Sequence, residues 1–178
     1  MKKLRFSFLL LLVLLSLAAA ASAAPKFTYD SMRLDFSAGR CIFDGNVRIA
    51  DNGRTVSADH AEVDLKTALK FLKNGVFDTS TNQEVTDFEV WCEGSILVEQ
   101  QGLKLTSDKA HVIGESHDVA VEGNVLLERP GLSIRASSGI FNWDTQIAQF
   151  DDNVRIKKNG SEIRADHTFY DVGKDELL

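Results

Sequence analysis

FDGNVRIADNGRTVSADHAEV, Phe43 to Val63, is a stretch this chain writes four times. With Gly45 as position zero, its counterparts are Gly94, Gly123 and Asp152, followed by Asn46, Ser95, Asn124 and Asn153. Eight residues on stand Gly53, Gly102, Gly131 and Gly160. At plus fourteen stand Asp59, Asp108, Ser137 and Asp166, and at plus sixteen Ala61, Ala110, Gly139 and Thr168. The last two intervals are both 29 residues. A fixed period of that size marks stacked copies of one supersecondary unit, which cannot bury its apolar face alone.

Inside the unit the side-chain rhythm is period two. Val47, Ile96, Val125 and Val154 stand at plus two, and Ile49, Val98, Leu127 and Ile156 at plus four, among polar residues such as Arg48, Glu99, Glu128 and Arg155. Alternation of this kind predicts a strand with one buried face. Asn52-Gly53 and Asn159-Gly160 predict tight hairpin turns, because Asn and Gly take positive φ at least cost. The apolar phase resumes at plus eleven with Val56, Leu105, Ile134 and Ile163, then slips by one at the Ala-Asp step, which predicts a bulge or corner. Each unit is thus two antiparallel strands, one kinked, with a single apolar face. Four side by side give an all-β fold that wraps or folds into a sandwich with a shared core.

Outward from the repeat, residues 1–23 read as a secretory signal peptide. Lys2, Lys3 and Arg5 precede the apolar run Phe6–Leu17, and Ala21-Ser22-Ala23 is a small-residue cleavage site before Ala24. An uncleaved anchor is the competing reading. Residues 24–178 are then one domain, with 17 basic against 26 acidic residues and a net charge of −9. Such a balance disfavours nucleic acid as a partner. Phe27 to Phe36 reads as the back half of a unit, with Asp30 placed before Gly45 as Asp108 is before Gly123; Leu34 and Phe36 match Val63 and Leu65 as inward residues. Twenty extra residues separate units one and two. That stretch, about Leu69 to Asp87, reads as an irregular hairpin around Asn74-Gly75 with a mobile tip.

No constellation of catalytic groups emerges, so an enzyme is not expected. The histidines show no metal-binding spacing, and no metal or cofactor is expected. The recurring Asp reads as a structural acceptor of backbone N–H groups at the bend. Gly131-Leu-Ser-Ile-Arg135 departs from the nucleophile-elbow pattern at its last position, and Lys174-Asp-Glu-Leu177 is followed by Leu178, which spoils an ER-retention signal. Cys41 and Cys92 both fall on the apolar face, and either a disulfide or two buried thiols fits.

An export signal followed by FDGNVRI with SADHAEV, EGNVLL with IRASSGIF, and DNVRI with IRADHTF resembles the LptA/OstA family of periplasmic lipopolysaccharide-transport proteins. The resemblance runs over the whole of residues 24–178; unit two departs with Glu93-Gly94-Ser95-Ile96, and unit three lacks the Asp. It implies an antiparallel β-jellyroll, an open V-shaped sandwich whose interior takes the acyl chains of lipid A. It also implies head-to-tail assembly through edge strands, with inner-membrane LptC-like and outer-membrane LptD-like jellyroll partners. The expected lipid-binding lining is the inward set: Phe43, Val47, Ile49, Val56, Val63, Ile96, Val98, Leu105, Val121, Val125, Leu127, Ile134, Phe141, Phe150, Val154, Ile156 and Ile163. An LptC-like anchored component and a non-lipid-binding β-repeat scaffold are the alternatives.

Overall fold

The computed structural model describes residues 26–51, 53–73, 76–77, 87–100 and 102–178. In chain order these form β1 (Lys26–Thr28), β2 (Ser31–Asp35), β3 (Arg40–Asp51), β4 (Arg54–Asp64), α1 (Leu65–Phe71), β5 (Leu72–Lys73) and β6 (Val76–Phe77). There follow β7 (Glu89–Gln100), β8 (Leu103–Ile113), β9 (Asp118–Arg129), β10 (Leu132–Asn142), β11 (Ile147–Lys158), β12 (Ser161–Asp171) and β13 (Glu176–Leu177). Eleven of these strands make one sheet in the order β1-β3-β4-β7-β8-β9-β10-β11-β12-β13, with β2 also on β3. Every pairing is antiparallel, so the chain runs as a meander of four long hairpins. At the last hairpin, Asn159 (φ 49°) and Gly160 (φ 85°) are the two turn residues between β11 and β12, the double positive φ that a right-twisted hairpin needs.

A single line of bulges crosses the sheet. Between Asp44↔His60 and Val47↔Ala58, two residues of β3, Gly45 and Asn46, face one of β4, Asp59. The same irregularity recurs at Glu93/Ile96, at Ala136/Ser138 and at Asp151/Val154. Gly45, Gly94 and Gly123 take φ of 74°, 75° and 74° there, and the residues after them are also left-handed. The kink therefore lies on the glycine strand, while the phase slip shows on the strand opposite, where one residue answers two.

Each bulge is filled from the strand before it. Asn46 Nδ2 donates to Asp30 Oδ2 at 2.7 Å, Asn124 Nδ2 to Asp108 Oδ2 at 2.8 Å, and Asn153 Nδ2 to the Ser137 hydroxyl at 3.1 Å. At Asp30 and Asp108 the recurring acidic residue is structural, but its partner is a side-chain amide of the next unit rather than a backbone N–H. The glycine beside that amide is packed against the same carboxylate. A Cβ on Gly45, Gly94 or Gly123 would lie 3.0, 3.0 or 2.9 Å from the Cβ of Asp30, Asp59 or Asp108. Unit four shows the converse pair. Asp152 replaces the glycine at φ 62°, and the facing residue is the smaller Ser137.

The bulge line divides each hairpin into a front arm, toward the turn, and a back arm. The arms face each other, since one cavity is walled by Val98, Leu103, Leu105 and Leu127 of the front arm and by Val119, Phe141, Phe150 and Val172 of the back. One sheet, folded on itself, thus supplies both layers of a jellyroll.

Several expectations change. Leu65 is not inward on a strand: it begins α1, with Asp64 Oδ1 accepting from Thr67 N at 2.7 Å as the N-cap and Thr67, Ala68 and Phe71 buried. The insertion, about Leu69 to Asp87, therefore opens inside a helix, and among its described residues only β5 and β6 answer to the expected hairpin. Its Asn74-Gly75 turn and polar run lie outside the described residues, as does the predicted signal peptide, residues 1–23. Residues 26–35 do run along β3 as a broken strand, yet Phe36 is 73% exposed because it lies in the turn beyond β2. The disulfide reading closes: Cys41 pairs with Val63 and Cys92 with Ala61. They stand on strands separated by β4, roughly 10 Å apart at ordinary strand spacing and beyond the reach of a disulfide. Both are free and buried, and burial pushes their thiols up to about 11 and about 12.

The clamp predicts a specific coupling. Gly123→Asp alone should cost about 2 kcal/mol or more, from positive φ and the clash with Asp108. Adding Asp108→Ser, which copies the Asp152–Ser137 pair, should recover much of that loss in urea titrations. Strictly additive losses would show that the two sites do not share a clamp.

Candidate functional site

The sheet register aligns the inward side chains into rows. Ile49, Val56, Val98, Leu105, Leu127, Ile134, Ile156 and Ile163 are partners in succession across the front arm. Across the back arm run Phe43, Ala61, Cys92, Ala110, Val121, Gly139, Phe150 and Thr168. In that second row the second strand of each hairpin contributes a small side chain: Ala61, Ala110, Gly139 and Thr168. The larger neighbours thereby interdigitate at the fold line, where the two arms come closest.

All but one of the expected lining residues are buried, Val125 and Val154 at 1% exposure and Ile134 at 0%. The exception is Ile163, 55% exposed. It belongs to the front row, but β12 is the last long strand and no neighbour covers it along residues 161–168 among the described residues. Sequence reasoning missed a further row: Val90, Val112, Val119, Ala148 and Tyr170 are buried at the far end of the back arm. Continuing the period-two phase upstream of each glycine finds the first of them.

The interior is largely filled by its own side chains. The cavity between the arms measures about 40 Å³. A second, about 20 Å³, lies between Phe27, Val47, Ile49, Val56 and the back-arm residues Val90 and Cys92. Pockets that hold small organic ligands run from about 300 Å³ upward, so neither of these two cavities has room for a chain until its walls separate.

One mouth of this interior is polar. Arg129 ends β9, in phase with Val125 and Leu127, and donates from Nη2 to the Val172 carbonyl at 3.1 Å. Its Nη1 lies 3.5 Å from Asp175 Oδ1. The fully buried Tyr170 donates its hydroxyl to that same oxygen, and burial followed by this bond drives the phenol pKa upward. The outer face carries a separate cluster. The Arg40 guanidinium sits 3.3 Å over the Trp91 ring, His111 stacks on Trp91 at 4.8 Å, and His60 joins Asp44 at 2.6 Å and Glu62 at 3.2 Å. Burial alone would lower the His60 pKa, but those two carboxylates raise it. Among the described residues no group of three or more His, Cys, Asp or Glu side chains is placed to hold a metal ion.

Residues 28–176 match the family model described as LptA/(LptD N-terminal domain) LPS transport protein. The chain belongs to that family. A search of curated proteins returned no sequence match. Among solved structures, the chain is similar to LptH, the LptA-homologous periplasmic component of the conserved lipopolysaccharide transport device from Pseudomonas aeruginosa. The TM-score is 0.51 at 14% identity, over 72% of this chain and 82% of that one. At that identity the likeness establishes the LptA-like jellyroll fold. The family is one of transport proteins.

Proposed function

We propose that this chain is a periplasmic lipopolysaccharide carrier. It holds acyl chains between its two arms and hands them on toward the outer membrane through LptC-like and LptD-like jellyroll partners. The observation that carries the reading is the continuous apolar interior, built from both arms of one bent sheet, in a member of a lipopolysaccharide transport family. Burying a methylene gains about 0.8 kcal/mol, so an acyl chain can be held without charge attraction once the arms part. The domain's acidic balance keeps the headgroup outside, at the rim. Export by a cleaved signal at residues 1–23 fits this location, and no helix among the described residues is long and apolar enough to cross a membrane.

Assembly uses the open edges. The outer edge of β12 along residues 161–168 has no partner among the described residues, nor does the outer edge of β1 and β2. Unpaired edge N–H and C=O groups recruit further strands, and two different edges make a head-to-tail contact. Ile163 extends the interior row to that edge, so a strand added beside β12 would continue the apolar wall.

Two tests address these readings. A photo-crosslinker at Val125 or Ile156 should capture lipopolysaccharide, while Arg48 and Glu128, on the opposite face, should not; equal capture at all four would remove the interior as the binding site. In sedimentation over a hundredfold concentration range, the wild type should form linear oligomers and Ile163→Asp should weaken them several-fold. The melting temperature should barely change, because Ile163 is already exposed. A wild type that stays monomeric throughout leaves no support for edge assembly.

A further inference from the structure

Arg129 stands out among the inward residues. Its side chain is 18% exposed, it follows Val125 and Leu127 on the same face of β9, and its Nε is buried with no hydrogen-bond partner among the described residues. Gln100, 8% exposed at the corresponding end of β7, also has a buried Oε1 without a partner. Both unmatched polar atoms sit at one mouth of an apolar interior. Buried polar groups are rarely left unpaired, because each costs about 1–3 kcal/mol. The Val172 side chain lines the larger cavity while its carbonyl accepts from Arg129, so the guanidinium lies at the cavity's rim. Its countercharge comes from Asp175, on the turn between β12 and β13, 57% exposed and itself at φ 60°. Among the described residues that carboxylate is held by Arg129 and Tyr170.

We propose that Arg129 is an anion-recognition residue for the phosphate of an amphiphile whose chains enter the interior, and that Asp175 is the internal carboxylate this phosphate displaces. The inference rests on the acyl-chain reading above and adds to it a headgroup chemistry. A guanidinium matches a phosphate through two parallel N–H bonds, and Nε supplies the donor that now has no acceptor. A phosphate monoester carries about −1.5 to −2 charges at neutral pH, more than the carboxylate it replaces. Asp175 can swing into solvent from its exposed turn, and the Tyr170 hydroxyl it leaves is free to donate to the incoming phosphate. A purely structural Arg129, tying the last turn to β9, would affect stability but not discriminate between headgroups.

Titration calorimetry with dodecyl phosphate and with dodecyl maltoside, each below its micelle threshold, separates these cases. Arg129→Gln should lose about tenfold in affinity for dodecyl phosphate, the worth of one charge-assisted bond, and leave dodecyl maltoside unchanged. Asp175→Asn, at an exposed position, should bind dodecyl phosphate several-fold more tightly. Thermal melts would confirm that both variants are folded. If both bind the two amphiphiles as wild type does, Arg129 is structural and the proposal fails while the acyl-chain reading stands. If wild type binds neither amphiphile, both fall together.

Discussion

The fold depends on a short clamp between neighbouring units: an acidic residue on one strand, a left-handed glycine and an amide on the next. Asp30 with Gly45 and Asn46, and Asp108 with Gly123 and Asn124, are its full form. A bulge with two successive positive φ values is costly unless something over-determines it. Here the carboxylate satisfies the amide and the missing Cβ gives it room. Because the clamps link successive units, the bulges fall in line, and a line of bulges bends a sheet where scattered ones would only roughen it. The pair Asp152 and Ser137 exchanges the two side-chain sizes and keeps the amide bond, which shows that the geometry rather than any one residue is maintained.

Bending one sheet produces two faces that are covalently continuous at the fold line and unconnected at the mouth. The arms there meet through apolar contacts and the Arg129 cluster. A cavity of about 40 Å³ is far below the roughly 300 Å³ at which pockets for small organic ligands begin, so lipid entry and arm separation are the same event in this account. Burial of about a dozen methylenes returns roughly 10 kcal/mol, enough to offset the loss of inter-arm packing over a limited area. The hydrogen-bonded ladders need not break, because the motion is taken up at the bulge line.

Much of this was legible in the sequence because period-two alternation and turn glycines are local signals. Val47, Ile49 and Val56 declared their face without any knowledge of the partner strands, and Asn159-Gly160 declared its turn. Three features depend on context that the local pattern lacks. Leu65 keeps the alternating phase of Ala61 and Val63 and so reads as inward on a strand, whereas the Asp64 side chain caps a helix there, whose Thr67, Ala68 and Phe71 are buried by tertiary packing. Ile163 has the pattern of a core residue and is exposed because, among the described residues, no strand pairs with the outer side of β12 there. Arg129 looks like a polar residue at a hairpin end, and its partners lie 41 to 46 residues away, at Tyr170, Val172 and Asp175.

The central claim is that the two arms part, about the bulge line, to admit lipid. Spin labels at Lys104 on the front arm and Ile140 on the back arm report that separation; a second pair, Lys104 and Arg155, lies within the front arm. The native Cys41 and Cys92 are poor targets for the label, since both are buried and their thiols are raised to about 11 and about 12. On adding lipopolysaccharide, the Lys104–Ile140 distance should lengthen by several ångströms while the Lys104–Arg155 distance stays fixed. Bound lipopolysaccharide with both distances unchanged would contradict the account.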